Sequence, residues 1–140
     1  MKVFSKVALT IYLQESGVLK TPLIIDAFNA IDRKDFLPEN IQDMAYSDEA
    51  LPIGEGQTIS QPYTVAFMLG LLDPRPGHIV LDVGAGSGWQ TALLAHIVSS
   101  DNAVRRYFSA HPAQTACAGR ELQTLSRSLR GDRLHFPTSG

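Results

Sequence analysis

One aspartate and three glycines, spaced at every second position, are the residues of this 140-residue chain with the clearest chemical use. They form the pattern Asp82-x-Gly84-x-Gly86-x-Gly88. A short apolar run over residues 79–83 leads into the pattern, and residues 90–98 follow it with helical spacing. Glycine lets a backbone approach a ligand closely, and the first turn of a helix offers unpaired N–H groups. A strand, a glycine loop and a helix in this order predict a nucleotide-type binding site.

The spacing of these glycines distinguishes between kinds of nucleotide. A dinucleotide site needs a small residue at the end of G-x-G-x-x-G/A, where helix and strand pack closely, and Trp89 is too large for that position. A P-loop is excluded because no Gly-Lys-Ser/Thr follows. The pattern resembles motif I of class I S-adenosylmethionine-dependent methyltransferases, which implies S-adenosylmethionine as the cofactor; a glycine-rich turn without a ligand is the alternative. The implied contact residues in this loop are Asp82, Gly84, Ala85, Gly86, Ser87 and Gly88.

A second candidate site lies in residues 45–62, which contain two prolines, two glycines and no helical period. This composition predicts a long irregular loop, and such loops in compact domains are usually functional or disordered. The sequence Pro52-Ile-Gly-Glu-Gly-Gln-Thr-Ile-Ser-Gln-Pro62 resembles the protein-L-isoaspartate O-methyltransferase family. Residues 32–38 and 45–48 resemble it too. The resemblance covers residues 10–98, and its part from Gly56 to Ser60 is highly specific to the family.

The resemblance implies a methyl transfer from S-adenosylmethionine to the carboxylate of isoaspartyl residues in damaged proteins or peptides, which begins their repair. The family's catalytic serine corresponds to Ser60, with Thr58 as a second hydroxyl donor, and the resemblance places Thr58, Ile59 and Gln61 at the cofactor. A carboxylate is already ionised at neutral pH, so the reaction needs positioning by neutral donors rather than a strong base. Outside this motif Ser60 would be interpreted as the N-cap of the next helix, and both roles can coexist.

Amphipathic patterns predict two helices before this loop. The first covers residues 3–16, with Gly17 as its C-cap. The second starts with Thr21 as N-cap and Pro22 at the first helical position. Their predicted buried faces are Val3, Val7, Ile11 and Tyr12 in the first helix, and Ile24, Ile25, Phe28 and Ile31 in the second.

An apolar helix over residues 63–72 and the strand–helix unit around the glycine loop complete the predicted elements. The run Ile79–Val83 is nearly continuous in apolar residues, as in a parallel strand covered on both faces. The helix after the glycines places Leu93, Leu94, Ile97 and Val98 on one face. Combined with the resemblance, these elements predict an α/β, Rossmann-like class I methyltransferase fold with an N-terminal helical region.

The chain changes character in its last third. Residues 1–98 carry six basic and eleven acidic side chains, a balance of −5, whereas residues 99–140 carry six and three, a balance of +3. In this fold a second strand should end in an acid about 20 residues beyond the glycines, and residues 99–118 show no apolar strand with such an end. We therefore predict an incomplete fold. Residues 1–98 are the N-terminal part of a methyltransferase domain, with the substrate loop 45–62 and the strand and glycine loop 79–88; residues 99–140 are an atypical tail, disordered or frameshifted.

Other chemistries fit less well. Neither Ser60 nor Ser87 has glycines two residues away on both sides, so there is no nucleophile elbow. The histidines and Cys117 lack metal-ligand spacing, and the six tail arginines are scattered without interleaved aromatics, so we expect no metal and no nucleic acid. No membrane-spanning run or signal peptide is present, and a single cysteine fits a reducing compartment, so we expect a cytoplasmic monomer. Two alternatives stay open: an inactive partial fragment, and a methyltransferase for another acceptor.

Overall fold

Helices form most of the first half of the chain, and a unit with two parallel strands follows them. The computed structural model describes residues 5–98 and the backbone of residues 104–107. Its elements are α1 (Lys6–Glu15), α2 (Pro22–Ala30), two 3-10 helices (Arg33–Phe36 and Glu39–Met44), β1 (Leu51–Gly54), β2 (Gln57–Ile59), α3 (Pro62–Leu72), β3 (Val80–Val83), α4 (Trp89–Val98) and β4 (Val104–Tyr107). Strands β1 and β2 form an antiparallel hairpin, and β3 pairs with β4 in parallel.

The first helix forms as predicted, but its buried face was predicted wrongly. Val7 and Ile11 are exposed, whereas Leu9 and Leu13 lie in the core. Two residues correspond to a rotation of about 200° around a helix, so the two pairs lie on opposite sides of α1. Both pairs have i, i+4 spacing, and packing against α2 selects the second. Gly17 follows the C-cap with φ of 76°, a conformation that favours glycine.

The second helix begins as predicted, with Thr21 before Pro22 at the first helical position. Its fully buried residues are Ile24, Ala27 and Phe28, while Ile25 and Ile31 are half-buried. It packs against α4, where the Phe28 ring meets the Trp89 ring edge-on with centroids 5.6 Å apart. The two helices are also joined by His96 Nε2 and Asp26 Oδ2, 2.7 Å apart. The glycine-loop helix therefore rests on the N-terminal helices.

The prediction of an irregular loop over residues 45–62 is wrong for its centre, which forms the β1–β2 hairpin. Leu51 pairs with Ile59, and both side chains are buried. Gly54, Glu55 and Gly56 turn the chain with φ of 97°, 53° and 68°. Strand β1 has four residues and β2 has three, which are too few for an alternating pattern to be visible in the sequence.

The strand β3 was predicted to be covered on both faces, and in the described residues one face is open. Ile79, Leu81 and Val83 are 79%, 64% and 67% exposed, while Asp82 on the opposite face is buried. The predicted apolar face of α4 is confirmed, since all four of its named residues are buried.

A second strand follows α4, although it is not the apolar strand with a terminal acid that this fold leads one to expect. Residues 104–107 form β4 and pair in register with residues 80–83, which completes a parallel β–α–β unit. The strand has the sequence Val-Arg-Arg-Tyr. Because of its two central arginines, it lacks the apolar run that identifies a buried strand in a sequence. It contains no acid. The predictions for the rest of the tail, residues 99–103 and 108–140, lie outside the described residues.

Candidate active site

The hairpin and the glycine loop line one small cleft. The cleft has a volume of about 40 Å³, and its lining residues are Thr58, Ser60, Val65, Ala85, Ser87, Trp89 and Gln90. Thr58 and Ser60, predicted to bind the acceptor, are exposed at the end of β2 and just after it. Ala85 and Ser87 belong to the predicted cofactor loop. The fold therefore brings two separately predicted motifs, about 25 residues apart in sequence, to the same space.

The glycine loop needs glycine at each of its three positions. Gly84, Gly86 and Gly88 have φ of 72°, 54° and 85°, which residues with a Cβ rarely adopt. A Cβ added at Gly84 would meet no atom within 4 Å, and one at Gly86 only the Gly84 carbonyl oxygen at 3.8 Å. The loop thus presents bare backbone to open space, the arrangement that a closely approaching ligand requires. Ser87 Oγ accepts a hydrogen bond from the Trp89 N–H at 3.2 Å, where α4 begins.

Asp82 is attached to α4 rather than to the backbone of the glycine loop. Its buried carboxylate accepts a hydrogen bond from Thr91 Oγ1 at 2.5 Å, and Thr91 is itself buried. The bond ties the end of β3 to the helix on the far side of the glycine loop, and so fixes the shape of the loop between them. Sequence analysis missed Thr91. A lone hydroxyl residue next to the apolar run of α4 is the signal that could have identified it.

Ser60 does not act as the cap of α3. The N-cap position is Gln61, and the Tyr63 N–H donates to Asp48 Oδ1 at 2.8 Å, so a residue 15 positions earlier supplies the capping oxygen. Within the described part of the chain the Ser60 hydroxyl has no hydrogen-bond partner. It is therefore available to a ligand in the cleft.

Two other predicted cofactor contacts point away from the cleft. The side chain of Ile59 is buried in the core. The side-chain amide of Gln61 donates from Nε2 to the Asp48 carbonyl oxygen at 3.1 Å and to Asp48 Oδ2 at 3.3 Å. Neither residue is among those that line the cleft.

Arg33, which sequence analysis did not single out, holds the loop that carries Ser60. Its Nη1 donates to the carbonyl oxygens of Ala45 at 2.8 Å and Ser47 at 3.1 Å. Its Nη2 donates to those of Glu49 at 2.7 Å and Ser60 at 3.0 Å. The side chain is only 2% exposed, so these bonds form away from water, where they are strongest. Nothing in the local residue types distinguishes Arg33 from its neighbour Lys34.

The guanidinium of Arg33 also stacks on the helix side of the cleft. Its central carbon lies 5.3 Å from the centroid of the Trp89 ring, a cation–π distance. Burial lowers the pKa of Arg33 from its ordinary value to about 10, and the nearby Asp48 carboxylate opposes this shift. The group therefore remains protonated at neutral pH.

A second contact fastens the same loop to the segment that carries Arg33. The Tyr46 hydroxyl lies 3.2 Å from both carboxylate oxygens of Asp32 and donates to them. Asp32 also accepts a hydrogen bond from the Lys34 N–H at 3.0 Å, which caps the 3-10 helix that begins at Arg33. Burial first, and then the charge of Asp32, raise the pKa of Tyr46 above 10.0, so Tyr46 stays a neutral donor.

The fold defined by these elements is that of the class I methyltransferases. The structure matches a Plasmodium falciparum protein named as a protein-L-isoaspartate O-methyltransferase and crystallised with S-adenosyl-L-homocysteine, with a TM-score of 0.68 over 87% of this chain and 55% of that one. A second solved protein-L-isoaspartate O-methyltransferase gives a TM-score of 0.69 over 88% of this chain and 38% of that one. Both are 24% identical in sequence, so they establish the fold alone.

The sequence itself establishes the family. The sequence model of protein-L-isoaspartate(D-aspartate) O-methyltransferase matches residues 4–111, and the chain belongs to this family. The matched part includes β4. The protein-L-isoaspartate O-methyltransferase of Methanopyrus kandleri is 49% identical over 92 residues, which are 66% of this chain and 41% of that protein. The Aeropyrum pernix enzyme is 52% identical over 87 residues, 62% of this chain and 34% of that protein. The chain thus matches between one third and two fifths of the length of these relatives.

Proposed function

We propose that this chain binds S-adenosylmethionine over its glycine loop and methylates the carboxylate of isoaspartyl residues in damaged proteins or peptides. The observation that carries the proposal is the shared cleft, in which Thr58 and Ser60 face Ala85 and Ser87. The names of the relatives and the S-adenosyl-L-homocysteine bound to the Plasmodium falciparum protein support it.

The residues present fit this cofactor. The open space beside Gly84 and Gly86 accepts a ligand close to the backbone, which any larger residue would obstruct. Asp82, held by Thr91, and Ser87, held by the Trp89 N–H, keep the loop in shape around that space. When bound, the cofactor supplies a methyl group, whose bond to sulfur breaks as a carboxylate oxygen of the acceptor bonds to its carbon.

The acceptor side of the cleft suits a carboxylate nucleophile. The carboxylate is ionised at neutral pH, so the protein has only to orient it. The Thr58 and Ser60 hydroxyls are neutral donors, and no ionisable side chain lines the cleft among the described residues. Arg33 lies behind the loop with its terminal nitrogens bonded to carbonyl oxygens. A carboxylate in the cleft is therefore held without a cation that would lower its nucleophilicity and repel a sulfonium.

We also propose that the chain acts in the cytoplasm as a monomer, without a metal or a nucleic acid. The single Cys117 and the scattered tail arginines support this setting. In the part of the chain that the structure describes, no helix has the length and apolar character needed to cross a membrane. Sedimentation analysis of the purified chain tests whether it is a monomer.

A second candidate, an inactive partial fragment, is favoured by the open face of β3. Exposed apolar residues on a central strand are unusual in a complete enzyme of this fold, where helices cover both faces of the sheet. The two candidate functions differ in whether the cleft binds the cofactor and the acceptor.

The experiment that separates these functions is a methyl-transfer assay with matched peptides. Radiolabelled S-adenosylmethionine is supplied with an isoaspartyl peptide or with the same peptide containing ordinary aspartate. The proposal predicts a base-labile label in the isoaspartyl peptide alone. Cofactor binding without label in either peptide would indicate another acceptor, and no cofactor binding would indicate the inactive fragment.

A further inference from the structure

Arg33 contacts both sides of the cleft, but the proposed reaction assigns it no role. Its Nη2 donates to the Ser60 carbonyl oxygen at 3.0 Å. The hydroxyl of the same residue is the proposed hydrogen-bond donor to the substrate carboxylate. Its guanidinium stacks at 5.3 Å on the ring of Trp89, which follows Gly88 at the start of α4. One rigid planar group thus contacts a cleft-lining residue on each side, Ser60 and Trp89.

We propose that Arg33 is a positioning residue that sets the distance between the Ser60 hydroxyl and the glycine loop. This inference rests on the proposed function, because the distance matters only if an acceptor at Ser60 has to reach a cofactor on the glycine loop. In-line transfer needs the reacting atoms about 3 Å apart, and a displacement of about 1 Å can cost on the order of a hundredfold in rate.

The bonding pattern favours arginine for a geometric reason. The two terminal nitrogens each bridge two carbonyl oxygens, from Ala45 and Ser47 and from Glu49 and Ser60, while the central carbon of the same group lies over the Trp89 ring. Lysine has the charge but presents a point donor without a plane, so it satisfies fewer carbonyls and loses the stack. If Arg33 only filled space, an apolar residue of similar volume would serve as well as the buried cation.

The first test compares Arg33→Lys with a matched exposed arginine. The side chain of Arg75 bonds only to Asp73 among the described residues, so Arg75→Lys is the control for the same chemical change. For Arg33→Lys we expect kcat for an isoaspartyl peptide to fall about 10- to 100-fold. The KM for the peptide and the Kd for S-adenosylhomocysteine should change much less. Arg75→Lys should leave all three values as in the parent chain.

Two readouts follow the position of the loop without needing activity. Trp89 is the only tryptophan of the chain, so its fluorescence and its quenching by acrylamide report the stack with Arg33. Glu49 and Glu55 are exposed in the loop and hairpin, and Glu15 at the end of α1 is an exposed reference. In Arg33→Lys we expect stronger quenching and faster cleavage by a glutamate-specific protease at Glu49 and Glu55, with cleavage at Glu15 unchanged.

A second variant covers the case in which Arg33→Lys unfolds, which rapid cleavage at Glu15 would reveal. Trp89→Phe keeps an aromatic ring and all four carbonyl bonds of Arg33 but weakens the stack. It should also lower kcat more than it changes the Kd for S-adenosylhomocysteine.

The outcomes separate the inference from the function beneath it. A parental kcat in Arg33→Lys, with the loop loosened, would make Arg33 structural only and overturn the inference. Parental quenching and cleavage in Arg33→Lys would overturn it as well, since Arg33 would then not hold the loop. An inactive parent chain counts instead against the proposed function, and the quenching and cleavage arms still decide whether Arg33 connects the loops.

Discussion

The loop that carries Ser60 is fixed by a larger polar network than the strand that leads into the glycine loop. The loop is fixed by polar contacts: Arg33 bonds to four of its carbonyl oxygens, and the Tyr46 hydroxyl bonds to Asp32. The strand β3 pairs with β4 and bonds to α4 through the buried Asp82 carboxylate, but in the described chain its other face is open, with Leu81 64% exposed. The acceptor side of the cleft therefore owes its shape to a local network, whereas the cofactor side depends on a sheet with an open face.

This difference extends to the surface around each region. On α3, Met68, Leu71 and Leu72 are exposed. A groove of about 610 Å³ extends from the end of this helix to β3, with Leu72, Leu81 and Leu94 in its lining. Contiguous exposed apolar residues promote association. Self-association at this face is therefore the main way in which the cofactor side of the cleft would be disturbed. The loop side presents Glu49 and Glu55 instead.

The largest expected effect is at the glycine loop. Gly86→Val should abolish binding of S-adenosylhomocysteine, because valine disfavours φ of 54° and its branched side chain occupies the ligand's space. Isothermal titration calorimetry measures the loss. The control is Gly70→Ala in α3, where φ is helical and a Cβ meets no atom within 4 Å. Parental affinity in Gly86→Val would remove the reason for placing the cofactor there.

The two faces of the β–α–β unit should differ strongly in their contribution to stability. Leu93→Ala, at a residue with no exposed surface on α4, should lower the free energy of unfolding by about 2–5 kcal/mol. Leu81→Ala on the open face of β3 should change it by no more than about 0.5 kcal/mol. Urea unfolding followed by circular dichroism measures both. Equal losses would mean that the outer face of β3 is covered in solution, and the contrast between the regions would fail.

On the acceptor side, removal of one donor should affect turnover and not cofactor affinity. Ser60→Ala should raise the barrier to methyl transfer to an isoaspartyl peptide by about 1.5–3 kcal/mol, which lowers the rate roughly ten- to hundredfold. Its Kd for S-adenosylhomocysteine should match that of the parent, since the hydroxyl acts on the acceptor. Ser5→Ala, at the exposed N-cap of α1, is the control. Unchanged turnover in Ser60→Ala would leave Ser60 without a role in the reaction.

The smallest expected effect concerns the second fastening of the loop. Tyr46→Phe removes the hydrogen bond to Asp32 and should cost about 0.5–1 kcal/mol in unfolding free energy. The pKa of Tyr46 is raised in the folded state, so its contribution is complete below the ordinary tyrosine pKa of 10.0 and is lost as the pH rises through the raised value. Urea unfolding at neutral and alkaline pH should show the difference between the two proteins shrinking at alkaline pH. A constant difference would contradict the proposed bond.

Sequence reasoning identified the elements that carry strong local signals. The helix start at Thr21-Pro22 follows from the fixed φ of proline, which suits the first helical position, and it is confirmed. The buried face of α1 was missed because two apolar pairs compete, and only packing against α2 selects one. The strand Val104–Tyr107 was missed because pairing with β3, rather than its own residues, makes it a strand.

For the site, sequence reasoning identified both motifs but not what holds them together. The Gly56–Ser60 motif and the glycine loop are each visible as short patterns, and their meeting in one cleft is a property of the fold. Arg33 and Thr91 act through partners 27 and 9 residues away, respectively Ser60 and Asp82. Such contacts leave no spacing pattern in a single sequence.

Hydrogen exchange with and without S-adenosylhomocysteine tests the central claim, that the two motifs form one site, most directly. We expect the ligand to slow amide exchange at both residues 57–61 and residues 84–90, because both border the same cleft. Exchange in α1 should not change, and Gly86→Val should show no protection anywhere. Protection of residues 84–90 with none at 57–61 would contradict the claim, because the ligand would then occupy the glycine loop without reaching the residues that are proposed to hold the acceptor.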